Sequence, residues 1–146
     1  MKAALIFMFT LASAACAAGA DTGPPLPPLK EGSATTKLGG PARFGHIVLT
    51  PVRIEEDSRC PADVQCVWAG RVRVAVRIED NGEVLSDQMV MTLGEPRPIA
   101  GAGGVAITAV CPYPRQPGPI PKEEYRITFT LGAHAFPRTS DTACPA

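Results

Sequence analysis

The chain has no surplus of either charge: 14 Lys and Arg balance 14 Asp and Glu in 146 residues. Without a basic face there is no electrostatic basis for holding phosphate backbones, so no nucleic-acid partner is expected. Histidine is scarce. His46 and His134 are the only two, and neither stands in a metal-ligand spacing, so no metal site and no cofactor are expected. No window carries the roughly twenty strongly apolar residues of a membrane span, and the strongly apolar part of the leader described below stops near Leu11. No Gly-x-Ser-x-Gly elbow is present, and Gly101-Ala-Gly103-Gly104 lacks the Lys-Ser/Thr of a phosphate loop. The acidic runs Glu55-Glu56-Asp57 and Glu123-Glu124 place neighbouring carboxylates on opposite sides of an extended chain, where they cannot work as a pair. No repeat and no capped amphipathic helix appear. These absences point away from an enzyme.

What is present begins with an address. Lys2 precedes a short apolar run over residues 3–11, followed by small residues up to Ala20, the three-part design of a secretory signal over residues 1–20. Ala18-Gly19-Ala20 fits cleavage before Asp21 and release of a free protein. Ser13-Ala14-Ala15-Cys16 also resembles a permissive lipobox, in which Cys16 is acylated and becomes the first residue. A membrane contact is expected only through that anchor. Residues 21–36 are rich in Pro, Gly and Ser and suit a semi-stiff tether. The expected location is the periplasm or the outer membrane.

The cysteines agree with export. Setting Cys16 aside leaves Cys60, Cys66, Cys111 and Cys144, an even set that reads as two disulfides with three conceivable pairings. The spacing of Cys60 and Cys66 is wrong for a CxxC redox or zinc pair. The expected pairing is Cys60–Cys66 and Cys111–Cys144. On the chain-entropy model the short loop contributes roughly 2 kcal/mol and the long one roughly 4 kcal/mol. The second bridge would pin a tail over residues 138–146.

The body reads as all-β. Sixteen prolines and 14 glycines favour short strands and turns over a helical bundle. Val72, Val74, Val76 and Ile78 alternate with Arg71, Arg73, Arg77 and Glu79, the period of a half-buried strand. Asn81-Gly82 is a hairpin turn in which both positions accept positive φ. A two-residue turn there sets Ile78 against Leu85, Val74 against Met89 and Val72 against Met91. Asp87 then falls opposite Val76 on the apolar face, which marks a bulge or a buried partner. Met89 and Met91 could serve as soft copper ligands, but in this register they read as core. Tyr125, Ile127, Phe129 and Leu131 form a second alternating strand. Residues 46–54 form a third, with Pro51 marking an edge or bulge, and residues 105–110 a fourth. Residues 35–38 are a weak fifth, continued by 42–44. Roughly five to seven antiparallel strands over residues 37–137 make a small β-sandwich or open barrel, with no substantial helix beyond the leader.

Between two strands lies the most distinctive segment, Asp57-Ser58-Arg59-Cys60-Pro61, then Gln65-Cys66-Val67-Trp68-Ala69-Gly70. With Pro112-Tyr113-Pro114 and Tyr125, it resembles a family of small exported bacterial proteins, many of them lipoproteins, over roughly residues 38–131. The resemblance implies a secreted β-rich domain without an established activity. Cys111 and Cys144 depart from the family pattern, and two additional cysteines are most simply each other's partners.

Physically, a Cys60–Cys66 bridge closes a tight loop that Pro61 stiffens. Asp57 and Ser58 suit local turn hydrogen bonds. Arg59 can fork onto a carboxylate, with Asp57 and Asp63 the candidates. Trp68, the only tryptophan, either plugs the end of the sandwich or stands on a binding surface. Asp57, Ser58, Arg59, Asp63, Gln65 and Trp68 are therefore the candidate binding residues, and an envelope protein or glycan is the expected partner. Two alternatives accompany this reading. One is a protease inhibitor presenting Arg59-Cys60; the other is a hydrolase or metal-dependent enzyme whose site only the fold assembles.

Overall fold

A computed structural model of the chain describes residues 28–100, 102–115, 118–132 and Cys144. The leader, Cys16, the first part of the tether, His134 and the tail other than Cys144 lie outside the described residues. Among the described residues there are eight strands: β1 (Gly32–Lys37), β2 (Ala42–Phe44), β3 (Ile47–Asp57), β4 (Val72–Asp80), β5 (Glu83–Thr92), β6 (Arg97–Ile99), β7 (Gly103–Cys111) and β8 (Arg126–Leu131). The only helical element among the described residues is a 3-10 turn at Lys122–Glu124. The strands form two antiparallel sheets of four, in the orders β1-β8-β7-β6 and β2-β3-β4-β5. This is the expected small β-sandwich. The three-residue strands β2 and β6 raise the number of strands to eight.

One apolar cluster draws on both sheets. Val72, Val74, Val76 and Ile78 from β4 meet Ile127, Phe129 and Leu131 from β8, all at most 1% exposed. Each such side chain stabilises the fold by about 1.5–3 kcal/mol, so alternation on these two strands is what holds the sheets face to face.

The β4–β5 hairpin turns where the sequence places it. Asn81 and Gly82 have φ of 52° and 84°, and Asp80 pairs with Glu83. The expected register survives only one further pair. Two shifts then move the partners, so that Val76 faces Met89 and Val74 faces Met91. The first shift falls at Leu85, which is 47% exposed instead of facing Ile78; the second falls at Asp87, which an unbroken ladder would bury and which here is 74% exposed near Arg77. Met91 is fully buried and Met89 partly so.

Two other expectations change in detail, and a third, for Pro51, is met. Strand β1 begins at Gly32, inside the stretch read as tether. Strand β2 does not continue β1, because the turn at Gly39–Gly40 carries the chain into the other sheet. Pro51 sits beside a bulge within β3 and is not at an outer edge.

Candidate functional site: the Cys60–Cys66 loop

Strands β3 and β4 belong to one sheet, yet fourteen positions separate Asp57 from Val72, and those positions form the loop. Ser58 closes its neck. The Ser58 amide donates to the Arg71 carbonyl at 2.9 Å, and the Arg71 amide donates to Ser58 Oγ at 3.0 Å. Gly70 makes this closure possible. It has φ of 65°, and a Cβ there would run into the Ser58 carbonyl.

Beneath the neck lies a buried charge. Arg59 is 7% exposed. Its guanidinium forks onto Asp57, with Nε to Oδ1 at 2.8 Å and Nη2 to Oδ2 at 2.7 Å. It also donates to the Val110 carbonyl at 2.5 Å and the Pro112 carbonyl at 3.1 Å. The Tyr113 ring lies 5.2 Å from the guanidinium carbon. Tyr125 Oη completes the set, donating to Asp57 Oδ2 at 2.9 Å. Arg59 thereby ties the loop to the end of β7 and the start of β8. It also satisfies two carbonyls where β7 has outrun its short neighbour β6.

The electrostatics follow from this geometry. Burial alone would raise the Asp57 carboxyl, but the Arg59 guanidinium and the Tyr125 hydroxyl outweigh it and hold the group below its ordinary value. Burial and the Asp57 carboxylate push Tyr125 upward in turn. Glu56, on the outer face, is lowered by its hydrogen bonds from Arg71.

Beyond the neck the loop is outside the core altogether. Cys60 and Cys66 are bonded, with Cα atoms 5.9 Å apart, and Cys111 is bonded to Cys144. The expected pairing is therefore the one present. The Ala62 amide donates to the Pro114 carbonyl at 3.0 Å and fastens the ring to the Pro-Tyr-Pro segment. Residues 62–70 are all exposed. Val67 is 89% and Trp68 83% exposed, with Val64 at 41%.

The candidate residues thus separate into two groups. Asp57, Ser58 and Arg59 build the neck, with Asp57 and Arg59 turned inward and Ser58 exposed; Asp63, Gln65 and Trp68 lie on the exposed arc. Trp68 does not plug the sandwich. The Arg59–Asp57–Tyr125 cluster and the Tyr113 ring occupy that end. Tyr125, Tyr113 and Val67 belong to the site as well. Tyr125 was legible as a core position and as part of the motif, but not as a partner of Asp57, because that aspartate is 68 residues away.

An open groove of about 520 Å3 runs beside the cluster, between Ile54–Asp57 on one side and Pro114, Arg115, Gly118, Pro119 and Ile120 on the other. Its polar floor is already satisfied: both Asp57 oxygens and the Tyr125 hydroxyl are bound within the cluster. No group of three His, Cys, Asp or Glu that could hold a metal exists among the described residues. No protein-family model matches the chain, and neither a curated protein nor a solved structure is similar to it.

Proposed function

We propose that the chain is an exported, non-enzymatic envelope domain that recognises a protein or glycan through the tip of the Cys60–Cys66 loop. One observation carries this reading: the only tryptophan stands 83% exposed beside an 89% exposed valine, on a loop whose base is locked by a buried ion pair. Tryptophan supplies a large rigid contact face at low entropic cost, and a tied-down loop loses little further freedom on binding. Two disulfides fit an oxidising compartment. The leader, the lipobox-like Cys16 and the likeness of the loop to small exported bacterial proteins favour the envelope, with Cys16 as the one membrane anchor.

The inhibitor alternative is disfavoured by geometry. An inhibitory Arg59 would have to enter a protease pocket, which means abandoning Asp57 and two backbone carbonyls. Against the enzyme alternative, the Tyr125 hydroxyl at the groove is already bound to the Asp57 carboxylate, and that carboxylate to Arg59.

Trp68 is the sole tryptophan, so its emission reports the loop tip directly. Titrating the protein with solubilised envelope proteins and, separately, with envelope glycan fragments should shift that emission to shorter wavelength in one of the two series. Val67→Ser should weaken the response while leaving the fold intact. If neither series moves the emission, the loop is a structural staple; if Val67→Ser binds as well as the wild type, Val67 is not part of the contact.

A further inference from the structure

Sheet edges are where a β-protein meets other chains. Four strands end the two sheets, and three are poor pairing edges. Strands β2 and β6 are three residues each, with Pro98 at the centre of β6. Strand β5 is long but bulged around Asp87, and its only charges, Glu83 and Asp87, are both acidic. Two copies of β5 would therefore meet with like charges and no compensating base.

Strand β1 carries none of these defences. Gly32–Lys37 has no proline and pairs with β8 in an unbroken register, leaving its other edge open among the described residues. Its outward side chains extend a hydroxyl ladder. Ser33 bonds Thr130 at 2.8 Å, Thr35 bonds Thr128 at 2.8 Å, and Thr108 bonds Thr130 at 3.0 Å. Lys37 ends the strand directly opposite Arg126, so two cations lie side by side without a carboxylate between them.

We propose that β1 is the pairing edge of a homodimer, in which two copies meet antiparallel about a two-fold axis through Ala34. A two-fold axis normal to the sheet keeps both outer faces on one side, so outward residues must oppose outward residues. With Ala34 opposite the partner's Ala34, Ser33 meets the partner's Thr35 and Glu31 meets the partner's Lys37. Each pairing occurs twice. The exposed carboxylate of Glu31 then stands beside the Lys37–Arg126 pair that lacks one, and the hydroxyl ladder runs on across the axis. Moving the register one step either way sets Lys37 against Ser33 or Leu29 and loses both ion pairs. The two sheets join into one of eight strands. The Cys60–Cys66 loop lies beyond the Lys37 end of β1, so the two loops point to opposite ends of the dimer and do not contact each other.

The test is sedimentation of the full chain as the exporting cell processes it, over a wide concentration range, in detergent if it is acylated. The expected result is a reversible dimer. Lys37→Glu, at an exposed position, should weaken it about tenfold by turning two attractions into two repulsions. The double variant Glu31→Lys/Lys37→Glu should restore most of the loss. A protein that stays monomeric throughout overturns the proposal. So does a dimer that Lys37→Glu leaves unchanged, or one that the double variant does not recover.

Discussion

The neck and the tip of one short loop reverse the usual placement of residue types. Arg59 is almost fully buried and Trp68 almost fully exposed, whereas arginine normally stays wet and tryptophan normally hides. The reversal shows which half holds the fold and which half lies outside it. At the neck the charge is affordable only because five partners surround it: one carboxylate, two carbonyls, one ring and, through Asp57, one hydroxyl. At the tip no part of the domain covers the indole, so its burial contributes nothing to folding.

If this division is correct, the largest effect comes from the neck. Arg59→Ala should destabilise the domain by about 3–5 kcal/mol, because it leaves Asp57 as an uncompensated buried charge and frees two carbonyls at once. Thermal or denaturant unfolding measures this directly, and a loss below about 1 kcal/mol would mean the cluster is ornamental. Gly70→Ala comes next. The alanine must hold a positive φ and push its Cβ against the Ser58 carbonyl, so a cost of about 2–3 kcal/mol is expected from the same measurement. Tyr125→Phe removes one hydrogen bond to a charged group and should cost about 1.5 kcal/mol or somewhat more.

The neck should also respond to acid. The folded value of the Asp57 carboxyl lies below its unfolded one, so folding stabilises the ionised form. That contribution is complete above the unfolded value near pH ~4 and is lost as pH falls through the folded value. Melting temperature should therefore drop with acidification in that window. Asp57→Asn should flatten the slope and leave the part owed to Glu56, which is lowered in the same sense. Equal slopes in both proteins would remove Asp57 from the account.

How much of this was legible in the sequence depended on range. Asn81-Gly82 fixed a turn because a two-residue hairpin is a local decision. The register beyond it was not local: two shifts, at Leu85 and at Asp87, moved every later pair. Arg59 was legible as a fork, with Asp57 or Asp63 as its carboxylate, and the nearer one won. The carbonyls of Val110 and Pro112 and the hydroxyl of Tyr125 could not be read, because only the closed sandwich brings them within reach. Strand β1 was barely legible for a different reason. Its Ser and Thr residues show no apolar alternation, and their logic appears only when the matching threonines of β8 stand opposite. For Trp68 the sequence favoured the buried plug over the exposed contact, on the general burial preference of aromatics, and nothing local says whether an aromatic after a disulfide folds in or out.

The smallest expected effect on stability is also the one that separates the two regions most cleanly. Trp68→Ala should change unfolding free energy by no more than about 0.5 kcal/mol, because an exposed side chain away from any cap, turn or network has little to lose. If Trp68 is the contact residue, the same variant should lose most of its binding to the envelope component that the wild type recognises, since a central aromatic anchor commonly accounts for about 2 kcal/mol or more of an interface. A variant that unfolds readily would show that the indole packs against the domain in solution, and the contrast between neck and tip would disappear. A variant that folds and binds like the wild type would keep the contrast but move recognition to Asp63 and Gln65 on the same arc. Stability unchanged with binding lost is the one outcome in which neck and tip have separate jobs, and for that outcome the neck exists to hold the tip still.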